Sequence, residues 1–309
     1  MATPLLLHLR KDYPNAKIIW IVGKSAASIV EATHLASQVI VVDEQALLRG
    51  SYFAKFKVLY SIWRQIRWMH FDLCITAHID PRYRVISYLT RCAKRKFWNQ
   101  KSKRSHAEQY LSLAPDVAQP KSLHALFPKL DLPDNPMILP DRFIVLAPGG
   151  AKNILADNPL RRWPIEYYAS LLKHLQTLFF QILVIGGPDD AWVRQHFADI
   201  HYVDLIGSQT VLQTVSLLKK CNLLITHDCG PLHLGKLAEC ETIALFGPTM
   251  PCEIVGESEK IHVLWGGETL ACRPCFNGKT FAPCQNNVCL REISPERVFR
   301  LVCEVLNCK

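Results

Sequence analysis

Between two apolar runs, Asn222 to Ile225 and Thr242 to Phe246, the chain has room for one short helix and little else. Buried strands joined through a single helix run parallel. Apolar runs without alternation belong to strands covered on both faces. The connection, "THDCGPLHLGKLAE", sets Gly230 and Pro231 at a tight turn and a first helical position, with helix over roughly Leu232 to Glu239. The turn therefore stands at the carboxyl end of a strand, where open α/β sheets take their ligands. Unsatisfied N–H groups and the positive end of the helix dipole favour an anion there, a phosphate before others.

The rest of the chain repeats this grammar. "RFIVLAPGG" (142–150) and "FQILVIGGPDD" (180–190) are strands running into glycine turns. Helices are expected over "WPIEYYASLLKHLQTL", Ala191 to Ala198 and "TVLQTVSLLKKC". "YVDLIG" and "IHVLWGG" are further strands. "SPERVFRLVCEVL" closes as a helix with Ser294 as N-cap and Pro295 in its first turn. The N-terminal half alternates likewise: helix "PLLLHLRKDY", strand "KIIWIVG", a helix, strand "VIVVD", a basic-aromatic helix over Tyr52 to His70, strand "FDLCITA" and helix "YRVISYLTRC". Such alternation predicts doubly wound parallel sheets. The proline-rich stretch Phe127 to Asp141 reads as a linker, giving domains 1–135 and 136–309 that face a cleft.

At 309 residues, half hydrophobic and a fifth charged, the chain has the balance of a soluble globular enzyme. No apolar run reaches the roughly 18 residues of a spanning helix, and the opening patch is too short for a secretory signal. These point to a cytoplasmic protein. The net charge of +9 has clusters at Arg91 to Arg104 and at Arg161–Arg162. A solvated basic face accounts for the first cluster as well as attraction to anionic headgroups or a phosphorylated acceptor does. No nucleic-acid-binding pattern accompanies it. Of twelve cysteines, Cys272, Cys275, Cys284 and Cys289 cluster. "CRPC" has zinc-ligand spacing, so a structural zinc knot and reduced unliganded thiols both stand as readings.

Four stretches in order, "LAPGGAKN" with "RRWP", "ILVIGGPDD", "THDCGPLHLGKLAECETIALFGPTMP" and "CRPCFNGKTFAPCQNNVCLREISPERV", resemble glycosyltransferase family 9, the ADP-heptose:lipopolysaccharide heptosyltransferases. The resemblance implies GT-B architecture: two Rossmann-like doubly wound domains, an N-terminal one for the acceptor and a C-terminal one for the nucleotide sugar. It implies inverting transfer from ADP-heptose to a Kdo- or heptose-bearing lipid A core at the inner membrane surface, with no metal required. Gly149 falls in the family's first glycine turn. Asp228 would contact the donor sugar or ribose, the backbone at Cys229 and Gly230 the diphosphate, and His233 would sit over the donor. Arg161 takes the place of a lysine that grips the diphosphate, keeping the charge and gaining a fork. Cys229 and Ala151 stand where the family carries hydroxyls, with Lys152 beside Ala151 as electrostatic compensation.

The family opens with a strand, a Gly-Asp turn and a Thr-Pro helix, whereas "MATPLLLHLRKDYP" opens at that helix. The resemblance therefore implies an N-terminally truncated chain, a gap with unpaired edges in the middle of the first sheet, and no general-base Asp. The catalytic carboxylate is left unassigned, Asp80 being a candidate because it follows a strand and Asp12 lying at the far end of its helix. A non-catalytic nucleotide-sugar-binding remnant is the alternative. A nicotinamide dehydrogenase would need G-x-G-x-x-G, which neither "APGGAKN" nor "VIGGPDD" supplies.

Overall fold

A computed structural model describes residues 1–99, 104–115, 127–134, 137–276 and 280–308. The chain divides into two compact units, Met1–Asp131 and Leu132–Lys309. The expected linker has neither helix nor strand among its described residues; Asn135 and Pro136 lie outside them. So do Gln100 to Lys103 of the basic cluster and Gly278 of the cysteine stretch.

Unit 1 contains α1 (Thr3–Asp12), β1 (Ile19–Gly23), α2 (Lys24–Glu31), β2 (Gln38–Val42), α3 (Glu44–Arg49), α4 (Tyr52–Ile66), β3 (His70–Thr76), α5 (Pro81–Tyr88), β4 (Arg91–Phe97) and α6 (His106–Leu111). β1 pairs in parallel with β2, and β3 with β4, but no pairing joins the two ribbons among the described residues. The doubly wound sheet expected with an interior gap is, among the described residues, two separate parallel pairs. Burial follows from it: every residue of β1 is only half-buried, whereas the central strands of unit 2 are buried throughout. Ile40 and Val42, with Ile62 and Ile66 of α4 and Ile86 of α5, form the core beneath both ribbons.

Two expectations in this unit change. The helix from Tyr52 stops at Ile66, and His70 already opens β3. Much of the basic cluster is not a free face but β4, held by the β3 ladder and by Arg95 donating to the carbonyls of Ser87 and Thr90. Four charges in seven residues hide a strand from any apolar-run criterion; its partner strand supplies the hydrogen bonds instead.

Unit 2 runs β5 (Phe143–Ala147), α7 (Ile165–Leu175), β6 (Gln181–Gly186), a 3₁₀ helix (Pro188–His196), β7 (Val203–Ile206), α8 (Val211–Leu218), β8 (Leu223–His227), α9 (Gly230–Ala238), β9 (Thr242–Phe246), α10 (Pro251–Ile254), β10 (Ile261–Trp265), α11 (Val288–Arg291) and α12 (Pro295–Leu306). The helix expected over Ala191 to Ala198 is that 3₁₀ helix, started earlier by Pro188. One parallel sheet has the order β10-β9-β8-β5-β6-β7. Its strand order reverses between β5 and β8, which opens a crevice at their carboxyl ends. Trp163, Tyr168, Phe197 and the α7 leucines fill the core on one face, and Ser294 caps α12 as expected by accepting from Arg297 N–H. Among the described residues no helix is long and apolar enough to cross a membrane.

Candidate anion-binding site

The reversal brings together the turns after β5 and β8. After β5 the backbone turns through Gly149, Gly150 (φ +78°) and Ala151 (φ +56°). Asp190, nearly buried, holds this turn: its Oδ1 accepts from Gly150 N–H at 2.7 Å and its Oδ2 from Gly187 N–H at 2.8 Å. One carboxylate thereby ties the β5 and β6 turns together. Gly149 leaves it the room, since a Cβ there would lie 2.3 Å from the Asp190 Cγ.

After β8 only Asp228 and Cys229 separate strand from helix, so the β8 axis runs directly into the amide end of α9. A Cβ built on Gly230 meets nothing within 4 Å, so the helix mouth is open at that point. Cys229 is buried with its Sγ 3.2 Å from Thr226 Oγ1, facing inward, and burial pushes its thiol up to about 12. Only its backbone is placed to meet a ligand. His233 lies half-buried one turn inside α9.

Arg161 comes from a short 3₁₀ turn, Pro159–Arg161, anchored by buried Trp163, whose Nε1–H donates to the Ile293 carbonyl at 2.8 Å. The Arg161 guanidinium reaches the second turn: Nη2 donates to the Asp228 carbonyl at 2.6 Å and lies 2.8 Å from Asp228 Oδ1. Asp228 is 3% exposed at its side chain, and its Oδ2 accepts from Thr249 O–H at 2.8 Å. The Arg161 Nε, buried, has no hydrogen-bond partner among the described residues. A forked cation is therefore fixed beside the mouth of α9 through its Nη2, with its Nε–H unpartnered, a geometry suited to a phosphate oxygen.

Of the expected residues, Gly149, Arg161, Asp228, Cys229 and Gly230 converge on these two turns. Arg162 turns the other way, donating to the Gly150 carbonyl at 2.9 Å and pairing with Asp157. Lys152 is exposed and paired with Asp189 at 2.8 Å. It lines, with Asp157, Arg162, Asp189, Asp190 and Trp192, a cleft of about 340 Å³ on the β6 side of the turn. Sequence reading missed Asp190 and Thr249, although "GGPDD" and "GPTMP" flagged their turns. His227 is a core group: wholly buried, bonded to Tyr168 Oη at 3.1 Å, its pKa lowered to about 3 by burial and then by the Arg161 and Arg162 charges.

The remaining candidates are occupied. Asp80 caps α5 and pairs with Arg82, which holds its carboxyl below the usual range. Asp12 lies 3.1 Å from His8 Nε2. Cys272, Cys275, Cys284 and Cys289 form no disulfide, and among the described residues no group of three or more potential ligands is arranged to hold a metal.

Comparison with known proteins gives the family and the fold. A model of glycosyltransferase family 9 (heptosyltransferase) matches residues 94–285. Lipooligosaccharide heptosyltransferase 2 of Campylobacter jejuni is 23% identical over 319 residues, covering 96% of this chain and 92% of that protein. Lipopolysaccharide heptosyltransferase 2 of Salmonella typhimurium is 28% identical over 122 residues, 34% of this chain and 32% of its own. A family 9 glycosyl transferase structure from Veillonella parvula matches with TM-score 0.78 at 20% identity, covering 100% of this chain and 93% of that one. The Escherichia coli ADP-heptose lps heptosyltransferase II structure matches with TM-score 0.72 at 19% identity, covering 99% and 94%. The fold is the GT-B type of sugar-transferring enzyme. The chain belongs to glycosyltransferase family 9.

Proposed function

We propose that the chain transfers heptose from ADP-heptose, with inversion, to the inner core of lipopolysaccharide. Unit 2 takes the donor and unit 1 the lipid A core acceptor, on the cytoplasmic side of the membrane. The observation carrying the donor site is Arg161, locked by Asp228 at the open N-terminus of α9 with its Nε unspent. The donor diphosphate lies against the Cys229–Gly230 backbone and Arg161. The acceptor hydroxyl oxygen attacks the anomeric carbon from the opposite face and gives up its proton to solvent water, while the bond to the diphosphate breaks and ADP leaves with the bonding electrons. Arg161 and the helix dipole stabilise the charge that develops on the leaving group. Asp228, ion-paired with Arg161 through Oδ1 and accepting from Thr249 at Oδ2, acts as a positioning residue for that cation. Lys152 takes part only at the rim, and His233 faces the sugar from within α9.

The test is a transfer assay. The full chain is incubated with ADP-heptose and heptose-deficient lipid A core, and the product is followed by mass spectrometry. A single-heptose mass increase with release of ADP is expected. ADP binding without transfer would replace this reading with a nucleotide-sugar-binding protein, which the occupied Asp12 and Asp80 already motivate.

A further inference from the structure

Helix α4 is apolar on two faces. Leu59, Ile62 and Ile66 pack into the core of unit 1. On the outer side Tyr52, Phe56, Tyr60 and Trp63 follow one another at helical spacing, 92%, 63%, 48% and 36% exposed. Three of these rings adjoin in a ridge: Phe56 and Tyr60 centroids are 6.1 Å apart, and Tyr60 and Trp63 are 5.7 Å apart. Trp68, 73% exposed, extends the ridge past the helix end. The outer face of a surface helix is ordinarily polar. Here a row of large rings stands in water, with only its inner flank needed for folding.

The charges on this segment have one sign. Residues 52–68 carry Lys55, Lys57, Arg64 and Arg67 and no Asp or Glu. The cations are threaded among the rings: Lys55 lies 5.7 Å from the Tyr52 ring, and Arg67 sits 5.2 Å and 5.1 Å from those of Trp63 and Trp68. A protein groove would use the rings but has no need of four unopposed cations. Single-stranded nucleic acid would use the cations and open ring faces, but Phe56, Tyr60 and Trp63 already pack ring against ring along the helix. Aromatic side chains beside Lys and Arg on a helix lying along the molecular surface are the composition of a bilayer interface.

We propose that α4 and Trp68 form a membrane-docking surface, which sets the aromatic ridge among the headgroups of an anionic bilayer with Lys57 and Arg64 on the phosphates. This surface belongs to unit 1 and does not rest on the donor-site reading. The experiment is co-sedimentation of the full chain with mixed phosphatidylglycerol–phosphatidylcholine vesicles and with phosphatidylcholine alone. Binding to the mixed vesicles is expected to fall about fivefold for each cation removed in Lys57→Gln and Arg64→Gln. It is expected to be lost in Phe56→Ser/Trp63→Ser, with ADP binding and thermal unfolding unchanged because these side chains lie outside the core. Should the aromatic pair impair folding, the charge variants decide alone. Absence of wild-type binding to mixed vesicles, or undiminished binding by the folded variants, overturns the proposal. So does tighter binding to single-stranded RNA, or a dimer abolished by Phe56→Ser/Trp63→Ser.

Discussion

Asp189 and Asp190 are adjacent, alike in charge and opposite in consequence. Asp190 accepts two backbone N–H bonds, from Gly150 at 2.7 Å and Gly187 at 2.8 Å, at 8% exposure. In Asp190→Asn one oxygen becomes an NH₂ that must face an N–H donor, so one charge-assisted bond, worth about 1.5–3 kcal/mol, is lost. The surviving bond becomes neutral and weakens by about another 1 kcal/mol. The sum is about 3 kcal/mol. Asp189 instead pairs with Lys152 in water, the two side chains 72% and 52% exposed, so solvent screens the pair and Asp189→Asn should leave stability almost unchanged. Native-state hydrogen exchange at the buried amides of β5 and β6 reads the difference directly, since these strands open only when unit 2 unfolds. About a hundredfold faster exchange is expected for Asp190→Asn, and little change for Asp189→Asn. Equal effects in the two variants, or none in Asp190→Asn, would refute the claim that one carboxylate ties the two glycine turns.

Gly230→Ala should leave the melting temperature unchanged or slightly raised, because a Cβ there meets nothing. ADP affinity, read by calorimetry, should fall about tenfold as a methyl enters the helix mouth. Thr249→Val removes the hydroxyl that donates to Asp228 Oδ2 and should cost about 2 kcal/mol in denaturant unfolding. His227 stays neutral in the fold down to about pH 3, whereas the unfolded chain takes up the proton near 6.5. Between those values the unfolded state binds more protons, so stability falls with falling pH by up to about 1.4 kcal/mol per pH unit, and is flat above. His227→Gln, which can still bond Tyr168, should flatten the melting temperature–pH curve in that window by the same amount.

Much of unit 2 is legible in the sequence because its strands are buried on both faces. "FIVLA", "LLITH" and "TIALF" have no competing period, and glycine or proline marks where each ends. β4 was illegible because Arg91, Lys94, Arg95 and Lys96 mask its pairing, which comes from β3. The donor turns could be located from Gly149 and Gly230, but their fastenings could not. Which Asp of "PDD" folds back, and that Thr249 reaches Asp228 across 21 positions, are tertiary facts with no local period. The break in the first sheet was expected from resemblance alone, since no property of β1 or β3 states which neighbour it lacks. The outward ridge of α4 was hidden for another reason: a helix apolar on two faces reads as deeply buried.

The measurement nearest the central claim is calorimetric titration of the full chain with ADP, with UDP as control. Arg161→Gln serves beside it, since it removes the charge while retaining a donor for the Asp228 carbonyl. The account predicts selective ADP binding by the wild type, about 10- to 100-fold weaker in Arg161→Gln. A folded wild-type protein that ignores ADP, or an Arg161→Gln variant that binds it equally well, would contradict a donor site at the mouth of α9.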